Sequence, residues 1–260
     1  MKITTLMENT TISPDLTAEH GLSLFVQTEG TRFLFDAGQS GAFADNARKL
    51  GIELKTADFA VLSHGHYDHG GGMMRFLECN RRAKIYVNQN AFEAYHNGTE
   101  KYIGLDHRLR SVHRLVRTGD THTIAPGLTL HSCNGLPRPV PTDPFGLTEQ
   151  VGQFFLPDDF RHEHYLLVQE AGKRVLFSGC SHKGILNILS WFQPDVLVGG
   201  FHFKSLDPDS QQLRAWGEAM ANYDTVFYTG HCTGEKQFAV LKSILGDRLH
   251  AISTGTVVEI

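Results

Sequence analysis

The stretch Leu62-Ser63-His64-Gly65-His66-Tyr67-Asp68-His69-Gly70-Gly71-Gly72 holds three histidines and one aspartate within six positions. Neutral imidazoles and carboxylates are the usual ligands of zinc and of other first-row divalent ions. His64 and His66 stand two apart and can grip one ion. Asp68 and His69, on the next part of the stretch, can grip a second. The glycines at 65, 70, 71 and 72 let the backbone fold tightly around such ions.

The flanking residues say how this cluster is held. Phe59-Ala60-Val61-Leu62 is a short apolar run and reads as a buried strand. Met73-Met74-Arg75-Phe76-Leu77 reads as the start of a helix. The cluster therefore belongs on a loop at the C-terminal end of a strand, where open α/β sheets place their ligands. Asp36 closes the strand Thr31–Phe35. It is either a partner that orients a ligating imidazole through its free N–H or an ordinary strand-end turn residue.

Other elements follow in the same manner. Lys2–Met7 and Leu22–Val26 read as strands, and Glu29-Gly30 as a hairpin turn. Residues 41–50 carry Phe43, Ala47 and Leu50 at helical spacing. Lys84–Val87 reads as a strand and Asn88–Tyr95 as a short helix. Residues 96–126 show no clean period, and Arg108, Arg110, Arg114 and Arg117 there read as a solvated face. Leu128–Cys133 alternates like a strand. Residues 137–159 carry five prolines and read as an irregular loop covering a site. His162 and His164 enter the strand Tyr165–Val168, as ligands or as ordinary strand-entry polar residues. Strands over Arg174–Phe177, Asp195–Val198 and Thr225–Tyr228 alternate with helices over Ile185–Trp191, 209–221 and 235–245. Ala251–Ile260 reads as closing strands.

The chain has 260 residues, 41% of them hydrophobic and 20% charged. That suits a soluble α/β (α+β) protein with a full core, and 1–260 reads as a single domain. A net charge of −4 gives no reason to expect nucleic acid or an anionic membrane as partner. No apolar run could span a bilayer, and the first residues lack a signal segment, so the cytoplasm is the expected compartment. The four cysteines, at 79, 133, 180 and 232, form no CxxC and read as thiols or metal ligands.

His-x-His-x-Asp-His after an apolar strand resembles the signature of the metallo-β-lactamase superfamily. The resemblance implies an αββα four-layer sandwich with a one- or two-metal site at its edge. In many members the first metal takes a third histidine from the turn near residue 134, and no histidine stands there. His182 would supply it instead. Ser178-Gly179-Cys180 resembles the superfamily's fourth motif, with Cys180 as ligand; the alternative for Cys180 is a small buried apolar residue. His231, in His231-Cys232-Thr233-Gly234, stands where the superfamily places a ligand of the second metal. With Glu19-His20-Gly21, Gly179-Cys180-Ser181-His182 and Gly199-Gly200-Phe201-His202, the chain is similar to the dihydropterin-linked ribofuranosyl-aminobenzene phosphate synthase-like branch.

These residues imply a metal-dependent hydrolase with two divalent ions, zinc foremost and iron or manganese as alternatives. His64, His66 and His182 would hold the first ion. Asp68, His69 and His231 would hold the second, with Cys180 beside them. A metal-activated hydroxide would attack an ester, amide or phosphoester, with Asp68 and His202 in catalytic roles. His202 would donate to the developing anion or leaving group. Arg138, Lys183, His202 and Lys204 near this edge point to a small anionic substrate, and the branch resemblance implies a pterin-related one. Two other readings stay open: an iron- or manganese-dependent oxidoreductase on the same fold, or a sensor with a residual metal site.

Overall fold

Phe33-Leu34-Phe35 and Phe59-Ala60-Val61-Leu62 show how the architecture arises. Both runs are buried along their whole apolar length, as strands covered on both faces must be. Phe33, Phe35, Phe59 and Val61 face a second sheet. Leu34, Ala60 and Leu62 face helices. The computed structural model describes residues 1–260.

The first sheet has seven strands in the order Val257–Glu259, Lys2–Met7, Ser23–Gln27, Arg32–Phe35, Phe59–Leu62, Lys84–Asn88, Leu115–Thr118. The second has seven in the order Leu249–Ala251, Val226–Thr229, Val196–Val198, Lys173–Phe177, Tyr165–Glu170, Leu128–His131, Thr121–Ala125. Their inner faces meet in one core that includes Phe33, Phe35, Val61, Val168, Phe177 and Val198. The Phe33 ring packs edge-on to Phe177 at 5.6 Å. Helices Ala42–Lys49 and Met73–Cys79 cover the outer face of the first sheet. Helices Ile185–Phe192, Gln211–Ala221 and Glu235–Leu245 cover the second. The result is a four-layer αββα sandwich.

In the first sheet the strands from Arg32 to Thr118 run parallel, and in the second those from Lys173 to Ala251 do so. Parallel strands deliver their C-terminal loops to one edge. Those loops carry Asp36, His64 to His69, Cys180, His182, His202 and His231.

Three expectations need correction. Asn88–Tyr95 is not a helix. Asn88 ends its strand and its side-chain carbonyl accepts from Asn90 N–H at 2.9 Å. The chain then turns into the strand Ala94–Asn97, which pairs with Leu147–Val151. Pairing across fifty residues leaves no local period to read. For the same reason, residues 137–159 are only partly irregular. Leu147–Val151 and Phe154–Pro157 form a hairpin in a third sheet of four strands, completed by Ala94–Asn97 and Lys101–Tyr102. Nor is Arg114 simply solvated: its guanidinium donates to the carbonyls of Asn80 and Ala83 at 2.8 and 2.9 Å. No helix is long and apolar enough to cross a membrane.

Asn46 locks the first helix to the sheet. Its amide N–H groups donate to Leu6 O and Thr17 O, both at 2.8 Å, and its carbonyl accepts from Thr17 N–H at 2.9 Å. The residue is fully buried. Asn46→Ala strands three backbone groups and should cost about 2–4 kcal/mol. Denaturant unfolding should show a lower midpoint at unchanged slope.

Candidate metal centre

Asp36, buried at the end of its strand, accepts from Ser63 N–H and from the Ser63 hydroxyl, each at 2.7 Å. It also pairs with His69 Nδ1 at 2.7 Å. Because the Ser63 hydroxyl gives its hydrogen to Asp36, its oxygen accepts from His64 Nδ1–H at 2.8 Å. Both histidines thus carry hydrogen on Nδ1 and turn Nε2 into the site. His231 is fixed in the same way: its Nδ1 lies 2.9 Å from the Asn9 side-chain carbonyl. Of the two readings of Asp36, the structure shows the orienting partner.

His64, His66 and His182 bring ring nitrogens within 4.8 Å of one another. All three residues are buried. Nε2 of His64, Nε2 of His66 and both ring nitrogens of His182 have no hydrogen-bond partner. Such buried polar atoms cost about 1–3 kcal/mol each when left unpaired. A cation shared by their lone pairs removes that cost. Beside them, Asp68 Oδ2 lies 3.3 Å from His231 Nε2 and 3.8 Å from His69 Nε2. His69 Nε2 lies 3.2 Å from His231 Nε2 and 3.1 Å from Cys180 Sγ. With Nδ1 protonated on both rings, those two Nε2 lone pairs face each other, which again calls for a proton or a cation between them. The residues present therefore fit a divalent metal, and the seven expected ligand residues lie in one cluster.

The electrostatics agree with this. Burial, reinforced by neighbouring imidazoles, holds His64 and His182 well below the ordinary histidine range. Burial brings His66 down to about 3 and His202 and His231 to about 4. At neutral pH these rings are uncharged and their lone pairs are free for a metal. His69 goes the other way. Burial opposes its charge, but the carboxylates of Asp36 and Asp68 prevail and raise it to about 9. Burial would also push Asp68 up, yet His69, His20 and His231 hold it well below the carboxylate range.

His202 lies at the edge of the cleft, its ring 4.3 Å from that of His182. The open cleft is lined by His66, Asp68, His182, His202 and His231, with Lys101 and Lys204 at its margin. A more apolar recess, walled by Phe145, Ile185, Phe203 and Trp216, adjoins it at His182 and His202.

Two expected cations do not face the cleft. Lys183 is buried and donates to Ser132 O at 2.5 Å and Glu163 O at 2.9 Å. Arg138 is committed to Asp159 at 2.8 Å. His131 also stays away, packed on Phe192 at 5.5 Å. His164 gives Nε2–H to Leu62 O at 2.8 Å and serves the fold. His162 accepts from Gly65 N–H at 2.9 Å and donates to Asp158 at 3.0 Å, so it braces the loop between His64 and His66. Asn9 and Asp158 are residues of the site that spacing did not single out, and each is close only through tertiary packing.

A model of the metallo-beta-lactamase superfamily matches residues 16–231, and the chain belongs to this superfamily. It is 26% identical to an uncharacterized protein of Methanocaldococcus jannaschii, over 87% of this chain and 89% of that one. It is 25% identical to the 7,8-dihydropterin-6-methyl-4-(beta-D-ribofuranosyl)-aminobenzene-5'-phosphate synthase of the same organism, over 93% of this chain and 90% of that one. The crystal structure of Tm1679, a metal-dependent hydrolase of the beta-lactamase superfamily, superposes with a TM-score of 0.81 at 25% identity, over 100% of this chain and 99% of that one.

The depressed imidazoles set the pH response of the metal-free protein. A group whose folded pKa lies below its unfolded value of about 6.5 stabilises the fold above that value and loses the contribution as pH falls. His66, His202 and His231 act in this sense down to about 3 or 4. His69, raised to about 9, stabilises below about 6.5 and fades as pH rises through 9. With more rings depressed than raised, melting temperature should fall between pH 7 and pH 4. Thermal melts of chelator-treated protein across that range check the sign.

Proposed function

We propose that the chain is a metal-dependent hydrolase acting on a small anionic substrate with two divalent ions, zinc foremost. The observation that carries this reading is the set of buried, partnerless imidazole nitrogens on His64, His66 and His182. These three residues would hold one ion; Asp68, His69, Cys180 and His231 would hold the other. Thiol and imidazole donors together are a set that suits zinc. Bound divalent ions would supply Lewis acidity and lower the pKa of water to roughly 7.

The chain's own residues do the rest. Asp36 and Asn9 keep the ligating faces of His64, His69 and His231 turned inward. Phe160, stacked on His182 at 4.4 Å, screens that ring from water. His202, uncharged at neutral pH because burial brings it to about 4, offers a ring N–H to charge developing on the substrate. Lys101 and Lys204 at the cleft replace Arg138 and Lys183 as the groups that favour an anion. Since both sheets contribute ligands, we read the whole chain as one working unit. A ligating Cys180 requires a reduced thiol, which fits a cytoplasmic setting.

Protein purified without chelator should carry close to two metal ions per chain by elemental analysis, and should turn over a generic ester or phosphodiester until chelated. A stoichiometry near zero after metal-replete expression would end this reading. Inorganic phosphate should inhibit turnover, and less so as salt rises. Lys204→Ala should weaken that inhibition several-fold. An inhibition constant indifferent to both salt and Lys204→Ala would sink the anionic-substrate reading.

A further inference from the structure

The motif Glu19-His20-Gly21 has no part in the reading above, yet the structure brings it to the metal centre. His20 Nε2 lies 3.3 Å from Asp68 Oδ2. The same carboxylate oxygen lies 3.3 Å from His231 Nε2, and the His20 and His231 rings stand 4.7 Å apart. Ligand atoms at about 2.0–2.1 Å from a tetrahedral ion are about 3.3 Å from one another. The three atoms lie together as a group of metal-ligand dimensions.

The segment carrying His20 is built against the metal loop. Leu22 N–H donates to Asp68 O at 3.3 Å. Gly21 has a φ of +145°, and a Cβ there would stand 2.3 Å from Asp68 O, so only glycine permits the approach. The Asn9 carbonyl oxygen that fixes His231 Nδ1 also accepts from Gly21 N–H at 3.2 Å. One amide thus sets the position of both histidines. Glu19 is tethered by the Ser40 hydroxyl at 2.7 Å. These contacts hold a polar loop in place, although the His20 side chain is 44% exposed.

We infer that His20 is a further ligand of the second ion, on the solvent side of the cleft. This rests on the two-ion reading. The competing role is a hydrogen bond from His20 to Asp68 with no part in metal binding, and glutamine separates the two. His20→Gln keeps an N–H donor but loses the imidazole lone pair. His20→Ala loses both.

The test is stepwise zinc titration of the chelated protein by calorimetry, with cobalt absorption spectra as a second readout. In both His20→Ala and His20→Gln, the second equivalent should bind at least about tenfold more weakly. The first should be unchanged and the cobalt bands altered. The exposed position lets both variants fold, which thermal melts of the metal-free chains verify. If His20→Gln binds both equivalents as the wild type does, with the same cobalt spectrum, the inference is overturned. A wild-type chain that takes up a single equivalent would overturn the two-ion reading alone. The inference would then hold if the variants weaken that equivalent and fail if they do not.

Discussion

A single buried carboxylate sets the geometry on which the centre depends. Asp36 is wholly inaccessible to solvent and sits in the left-handed region at φ 58°. Its oxygens are taken by the Ser63 backbone, the Ser63 hydroxyl and His69. Through Ser63 it reaches His64, one proposed half of the centre; through His69 it reaches the other. A lone buried charge would be costly, and the N–H and O–H donors aimed at it from Ser63 and His69 offset that cost. Asp36 therefore links the orientation of His64 to that of His69.

The remaining proposed ligands are braced from two sides. Glu8 accepts from His231 N–H at 2.5 Å. Glu163 accepts from His182 N–H at 2.8 Å and from Tyr165 hydroxyl at 2.5 Å. Ser181, His202 and His231 share with Asp36 a positive φ without being glycine. Each such residue costs of order 1 kcal/mol or more, and these four stand at strand ends around one cleft. Glu8 takes the backbone N–H of His231, the Val61 carbonyl that of Asp36 and Cys232 Sγ that of His202, and these bonds help to maintain those conformations. In this way the rigidity of the sheets is passed to side chains that lie on loops.

The sequence was readable where chemistry is local. His64 to His69 declares itself by spacing, and the long apolar runs name the strands that carry it. The helix 235–245 and the strands Lys2–Met7 and Phe59–Leu62 fall where their periodicity puts them. What escaped was set by distance along the chain. Ala94–Asn97 is a strand because Leu147–Val151 lies beside it. Asn9 looks like a loop residue until the fold closes, and His20 stands out only as part of a motif whose place beside Asp68 the fold alone reveals. Lys183 looks like a surface lysine next to a motif, but its ammonium is spent on two buried carbonyls. Charge alone did not tell a lysine facing the cleft from one holding the loop behind it.

The spread of the proposed ligands along the chain has a consequence for biogenesis. His69 and His231 are 162 positions apart. A ribosome exposes His64, His66, Asp68 and His69 long before it makes Cys180, His182 and His231. The nascent polypeptide thus offers three imidazoles and a carboxylate to whatever ion is abundant nearby, before the second sheet exists to impose its geometry. A metal captured that early is held by a flexible chelate and selected by supply and intrinsic affinity. Selection by shape begins only after the last strands dock. Which ion the proposed centre carries would therefore depend on exchange after folding as well as on the shape of its pocket.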